Sequence, residues 1–331
     1  MEEMTKRERI QAALAGEPVD RMPVALWRHW PVDDQNPESL ARCALDFQKR
    51  YDFDLIKIPP AHTYCVDDYG LTSVWEGRSI GDRIDQERVI KRIEDWDSIE
   101  PLDVHQGVYG DQLRCLRIVL QKRDPEVPVI HTLFNPLNMA RFLAGDDTYL
   151  VHMRRDPKRV GRALGALTET CASFAQAVIE AGADGVFLST AAANYARLSE
   201  EEYLRFGRPY DLAVWEAASD GWFNVMHICR PNPMLSLFAD YPVQALNWHD
   251  RSAGPSLATA AATFPGAVVG GIEQHEIMHF GTPADVEAQA HDAIRQMGGR
   301  RLIVAAGCTF QLTVPEGNII AVRNSVDTWK P

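Results

Sequence analysis

Along almost the whole chain, short apolar runs alternate with longer stretches of helical periodicity. The runs are Met22–Trp27, Asp54–Ile58, Val127–Phe134, Asp184–Ser189, Trp222–Ile228, Val243–Trp248, Gly266–Ile272 and Arg301–Gly307. Short runs that are apolar throughout, rather than at every second position, predict strands covered on both faces, as in parallel sheets. The helical stretches carry their own punctuation. Thr5 precedes Lys6–Leu14, with Glu8 completing a capping box and Gly16 as the stop. Thr282-Pro283 opens Ala284–Met297, and Gly298-Gly299 ends it. Pro37–Tyr51, Asp156–Ala181, Ser199–Ser219 and Ser256–Ala262 read as helices on the same periodicity.

Strands and helices in this alternation, eight strands in all, predict an α/β fold, a closed (β/α)8 TIM barrel. An open doubly wound sheet is the other arrangement of the same pattern. One connection breaks the rhythm. Residues 59–126, after the second strand, are too many for a loop and predict a small β-rich insertion followed by a helix over Asp111–Gln121. No repeat, low-complexity tract or linker divides the chain, so residues 1–331 are expected to form one domain.

Composition then narrows the function. A net charge of -12 argues against binding nucleic acid or an anionic membrane through general electrostatics, and favours a small-molecule role. No apolar run approaches the length of a membrane span. The start, Met1–Ile10, is charged where a secretory signal needs an apolar segment, which predicts a cytoplasmic location. Six cysteines are scattered too widely for a disulfide framework; Cys43, Cys115 and Cys171 fall in helical stretches and are expected to pack.

The barrel gives chemical meaning to its strand ends. His227 and Cys229 stand two apart, so in an extended strand they present nitrogen and sulfur to the same side, and Cys308 closes the last apolar run. Taken singly, each is an ordinary packed residue. Active sites in such barrels gather at the carboxyl ends of the strands, however, so the three are expected to face one cavity. A set of His and two Cys leaves a coordination position for substrate, as catalytic zinc does. His249 and Glu273 follow the sixth and seventh strands and are the candidates for a fourth ligand or a catalytic group, with capping or hydrogen bonding as their alternative use. Arg28, His29, Asn135 and Asn247 hold comparable positions and are expected to bind substrate. His275 and His279 are expected on a solvated loop.

Together these residues resemble the uroporphyrinogen decarboxylase superfamily, whose (β/α)8 barrels include zinc-dependent cobamide methyltransferases. The resemblance spans nearly the whole chain, through Thr5-Lys6-Arg7-Glu8-Arg9, Asp20-Arg21-Met22-Pro23-Val24, Phe134-Asn135-Pro136-Leu137, His227-Ile228-Cys229, and Gly307-Cys308 followed by Val314-Pro315-Glu316-Gly317-Asn318. The pairing of His-x-Cys with a late Gly-Cys is the informative part, because it looks like the zinc set of the methyltransferase branch. The decarboxylase signatures are missing. Where that branch has Arg-Gln-Ala-Gly-Arg, this chain has Arg28-His29-Trp30-Pro31-Val32; an aspartate after the second strand is replaced by Ile58-Pro59-Pro60, and Gly-His-Gly by Gly307-Cys308-Thr309.

The resemblance implies zinc as cofactor, methylcobamide as methyl donor, a corrinoid protein as partner, and a small-molecule acceptor, expected to be a thiol. Three other readings stay open at this level: a decarboxylase-like activity, a zinc hydrolase on the same barrel, and a non-catalytic small-molecule binder.

Overall fold

The computed structural model describes residues 3–329. After a leading helix, Lys6–Ala15, and a second, Pro37–Tyr51, the chain enters strand β1 (Ile56–Ile58). The insertion follows, with a hairpin of β2 (Thr72–Val74) and β3 (Ile84–Glu87). Then come β4 (Val129–Phe134), β5 (Gly185–Thr190), β6 (Val225–Ile228), β7 (Ala245–Trp248), β8 (Ala267–Ile272) and β9 (Leu302–Ala306). All neighbours in the main sheet, ordered β1-β4-β5-β6-β7-β8-β9, pair in parallel. Every residue of β5, β6, β7, β8 and β9 is buried, which is why their sequences are apolar without alternation.

The sheet closes through a seam rather than through a full strand. The run Met22–Trp27, expected to be the first strand, forms a single parallel bridge, Val24 to Val304. Ala25 donates to the Val304 carbonyl at 3.0 Å, and Val304 donates to Pro23 O at 2.8 Å. On the other side Asp54 N donates to Val24 O at 2.9 Å, while Val24 N donates to the Asp54 carboxylate at 2.8 Å instead of to a ladder carbonyl. Pro23 has no N–H to offer. The ladder is therefore short, and a buried carboxylate takes over part of its work. The result is a (β/α)8 barrel of seven strands and one bridged segment.

Asp54 is also the centre of an ion-pair cluster that shuts the amino-terminal end of the barrel. Arg9 reaches it at 2.8 Å and Arg21 at 2.7 Å, and Arg9 pairs at 2.7 Å with Asp20. The two amino-terminal landmarks of the sequence are thus structural. A groove of about 1200 Å³ runs past this cluster, yet it lies at the end of the barrel opposite the strand carboxyl termini.

Other boundaries shift for local reasons. The helix expected over Ser199–Ser219 breaks at Gly207 into Glu200–Phe206 and Arg208–Ala217, because Pro209 has no N–H with which to continue it. The expected helix from Asp156 begins at Pro157, with Asp156 as its cap, and a separate helix, Thr148–Arg155, precedes it. Helices Pro136–Ala144, Glu276–Phe280 and Glu316–Thr328 were not expected. Residues after the hairpin form the helix Gly107–Lys122, where Asp111–Gln121 was expected.

Candidate functional site

The carboxyl ends of the strands open into a cavity of about 660 Å³. Its walls come from the barrel strands and from the inserted hairpin, which lies across the mouth. Gly81, in the hairpin loop, takes φ +84°, and a Cβ built there would meet His29 Cβ at 2.7 Å, so the loop reaches the barrel rim only as glycine.

On one side of the cavity, four donor atoms converge. His227 Nε2 is 3.5 Å from Cys308 Sγ, Cys229 Sγ is 3.6 Å from His249 Nε2, and the donors of all four residues lie within 4.8 Å of one another. The fold explains the convergence. His227 occupies β6 opposite Asn247 of β7, Cys229 follows β6, His249 follows β7, and Cys308 follows β9. Among the described residues this is the one such grouping of His, Cys and carboxylate donors.

A tetrahedral ion at ordinary zinc–sulfur and zinc–nitrogen lengths would hold sulfur and nitrogen about 3.6 Å apart. The observed spacings fit. Two thiols and two imidazoles also form the borderline-soft donor set that suits zinc. His249 has an outer partner as well: its Nδ1 lies 3.1 Å from the Gln274 amide. As placed, it is the amide nitrogen that faces Nδ1 and donates to it; a half-turn of the amide would let its oxygen accept Nδ1–H and leave the Nε2 lone pair toward the thiols, the support a ligating imidazole needs. Of the two thiols, Cys308 is drawn well below the ordinary range, first by the hydrogen bond from Cys229 and then by His227 and His249. Cys229 moves up in turn, because of Cys308 and burial.

The remaining walls are aromatic and basic. The His227 ring stacks on Phe187 at 5.2 Å, and Phe187 meets Trp27 edge-on at 5.5 Å. His29 faces the cavity, and burial pushes its imidazole down to about 4, so it is neutral at physiological pH. Lys57, the middle residue of β1, faces the same space, and burial pushes its ammonium down to about 7. Six basic and three acidic side chains line the cavity. The three acids are matched: Asp82 with Arg78, Asp85 with Arg88, and Asp146 with Arg141. A positive surplus is left inside a chain whose net charge is -12.

The structure therefore brings His227, Cys229, His249, Cys308 and His29 to one cavity. The polar groups of four other expected residues are engaged elsewhere. Arg28 donates to Leu312 O at 3.0 Å and lies over Trp30. Asn135 caps the helix Pro136–Ala144 and donates to Asp211 at 2.7 Å. Asn247 donates to Val269 O at 2.7 Å, within the barrel. Glu273 accepts from His275 N at 3.0 Å, from Ile277 N at 2.9 Å and from Glu276 N, thereby capping the helix Glu276–Phe280. Of the two histidines expected on a solvated loop, His275 lines the cavity and His279 contacts Thr313 Oγ1 at 3.1 Å. Lys57, Gln274 and the hairpin arginines escaped sequence reasoning. A lysine in the middle of an apolar barrel strand was the signal for the first.

The family model of uroporphyrinogen decarboxylase (URO-D) matches residues 5–329. The chain belongs to the uroporphyrinogen decarboxylase family. Within that family it is similar to the methylcobamide:CoM methyltransferase MtbA of Methanosarcina mazei, 26% identical over 96% of each chain. It is 25% identical to the MtaA enzyme of the same description from Methanosarcina barkeri, over 99% of each. A uroporphyrinogen decarboxylase from Chlorobium limicola matches only 60% of this chain and 57% of its own, at 27% identity. Among solved structures, a methyltransferase from Methanosarcina mazei superposes with a TM-score of 0.86 at 22% identity, covering 98% of this chain and 99% of its own, and it supports the barrel fold. The full-length relatives are methyltransferases, and so is this member of the uroporphyrinogen decarboxylase family. No helix among the described residues is long and apolar enough to cross a membrane.

Proposed function

We propose that the chain is a zinc-dependent methyltransferase that moves a methyl group from methylcobamide to a small thiol. The observation that carries this reading is the convergence of His227, Cys229, His249 and Cys308 on one side of a cavity at the strand carboxyl ends, in a chain whose full-length relatives are described as methylcobamide:CoM methyltransferases. His227, Cys229 and Cys308 would hold the metal, and His249, carried on the loop after β7, would be the fourth donor within reach. A zinc ion in this donor set keeps an acceptor thiol deprotonated near neutral pH.

Every other contribution comes from the chain. The neighbours that draw the Cys308 thiol down make it the readier of the two cysteines to give up its proton to a metal. Phe187 fixes the His227 ring by stacking, and Trp27 and Phe187 keep the reacting sulfur out of bulk water. About 660 Å³ suits a small acceptor, and a corrinoid protein would bring the bulkier donor to the mouth. In the transfer the acceptor sulfur forms a bond to the methyl carbon while the cobalt–carbon bond breaks. Its electron pair stays on cobalt, leaving cob(I)amide and a thioether; the thiol proton has gone to solvent.

The hydrolase alternative lacks a base. Each of the three carboxylates lining the cavity is paired with an arginine, so no carboxylate there is free to deprotonate a water. Protein purified under reducing conditions is expected to hold about one zinc per chain. It should bleach the methylcobalamin spectrum only when zinc and a thiol are both present, and Cys308→Ala should abolish both the zinc and the bleaching while the fold persists. Zinc-loaded protein that demethylates no cobamide with any thiol but cleaves a simple ester would sink the proposal. Uroporphyrinogen is expected to show no turnover.

A further inference from the structure

Beside the main cavity, and sharing Arg141, Asp146 and Arg230 with its wall, lies a second cavity of about 190 Å³. The segments that follow β4, β5 and β6 build it: the first brings Arg141, Asp146 and Tyr149, the second Arg197, and the third Arg230. None of them belongs to the four converging donors. Tyr149 is only 1% exposed, yet its hydroxyl has no hydrogen-bond partner among the described residues. Burial pushes that phenol up to about 12, so it keeps a proton to donate. Asp146 bridges Arg141 at 2.6 Å and Arg197 at 3.3 Å, and Arg197 also meets Asp147 at 2.9 Å. Arg230 has no such partner among the described residues. Three guanidiniums thus face two carboxylates, and one positive charge is left over.

The walls are held in place. The segments after β5 and β6 are tied by an antiparallel bridge between Asn194 and Pro233, and Tyr195 N donates to Asn232 O and Met234 N to Ala193 O, each at 3.0 Å. This pairing keeps Arg230 at φ +86° and Asn232 at φ +54°, a region that costs energy for a residue with a side chain. The Asp146 carboxyl feels all three cations. Burial works to raise it, but Arg141, Arg197 and Arg230 hold it below the usual carboxylate range. A space of this size admits a phosphate group with some water and excludes a ring system. Guanidinium forks brought by three segments, with a phenol beside them, suit a tetrahedral oxyanion, which offers acceptors on several sides, better than a planar carboxylate.

We propose that this second cavity is a phosphate-binding subsite, separate from the space that takes the acceptor, in which Arg230 and the Tyr149 hydroxyl bind the oxyanion. Two sources supply such a group: inorganic phosphate, and the phosphodiester in the nucleotide loop of a cobamide. A phosphodiester carries one negative charge, which matches the single positive charge left over. Arg230 directly follows Cys229, so a cobamide anchored by its phosphodiester stands next to the cluster of donors while its corrin stays outside the small cavity. The cobamide source rests on the methyl-transfer reading; the phosphate subsite itself does not.

The subsite is tested without turnover. Calorimetric titration of the purified protein with inorganic phosphate, at ionic strength held constant with chloride, is expected to show one site per chain. Affinity is expected to fall about tenfold or more in Arg230→Gln and in Tyr149→Phe. It should be unchanged in Lys57→Met and in Cys308→Ala, which alter only the main cavity and the metal donors. As a check that does not depend on a variant folding, arginine-selective labelling of the wild-type protein, read by mass spectrometry, should find Arg230 protected by phosphate. The sources are separated in turnover with 2-mercaptoethanol, comparing methylcobalamin with methylcobinamide, which lacks the nucleotide loop. The ratio of their kcat/KM values is expected to fall about tenfold in Arg230→Gln, through KM; an equal ratio with phosphate binding intact assigns the subsite to free phosphate. Phosphate that does not bind the wild type, that binds Arg230→Gln and Tyr149→Phe as well as wild type, or that is lost in Lys57→Met or Cys308→Ala instead, overturns the subsite. If no cobamide is demethylated while phosphate still binds through Arg230 and Tyr149, the transferase reading falls and the subsite stands.

Discussion

A lysine enclosed by Trp27 and Phe187, with no carboxylate beside it, lowers the stability of the fold that contains it. Replacing Lys57 by Met, which fills the same slot without charge, is therefore expected to raise the free energy of unfolding at neutral pH by about 1–3 kcal/mol, read by urea denaturation. Gln274 makes the opposite case. It is not one of the four converging donors, but its amide lies against His249 Nδ1 and orients the ring. Gln274→Ala is expected to weaken zinc binding about 10–100-fold in competition with a chelator, with the site's sulfur ligation unchanged by X-ray absorption. An unaltered affinity would mean that His249 does not ligate.

At the scale of elements, the buried Asp211 ties four segments together. It accepts from Asn135 Nδ2 at 2.7 Å, from Tyr203 Oη at 2.6 Å and from Tyr241 Oη at 3.0 Å, joining the turn after β4 to helices Glu200–Phe206 and Arg208–Ala217 and to the segment before β7. Burial pushes its carboxyl up to about 6 from 3.8, the three donors only partly offsetting it. Between those values the native state holds a proton that the unfolded chain has lost, so this group's contribution to stability declines as pH rises through the window and is constant above it. Asp211→Asn is expected to remove that component from the pH profile of the melting temperature and to cost about 1–3 kcal/mol, since an amide cannot accept from all three donors. This clasp also shows what the sequence conceals. Asn135 was legible as a polar residue at a strand end, but its partner lies in a helix far along the chain and carries no local signal. His249 and Glu273 looked equivalent for the same reason. Nothing in the order of residues shows that one side chain meets a thiol while the other turns back onto three backbone N–H groups. The fully buried strands β5 to β9, by contrast, were readable because burial on both faces forces an unbroken apolar run.

On the scale of the whole molecule, chemistry and closure occupy opposite ends of one barrel. The His227–Cys229–His249–Cys308 cluster stands at the strand carboxyl ends, and the Arg9–Asp20–Arg21–Asp54 cluster at the other. Asp54→Asn is expected to destabilise the fold by about 3–5 kcal/mol, because it leaves buried guanidinium groups without their counter-charge, and to leave zinc stoichiometry intact in the folded fraction.

The seam at Val24 carries a further implication. A ring of strands fastened at one place by a single bridge and a carboxylate is mechanically a curved ribbon with a latch, and thermal opening should begin where the fewest bonds must break together. Amide protons of Ala25 and Val304, which lie at the latch, should exchange with deuterium through a smaller opening than those of Leu188 and Met226 at the β5–β6 pairing on the main sheet. In Asp54→Asn the first pair should exchange faster by a larger factor than the second. If all four sped up equally, the latch would not open on its own, and the barrel would come apart only as a whole.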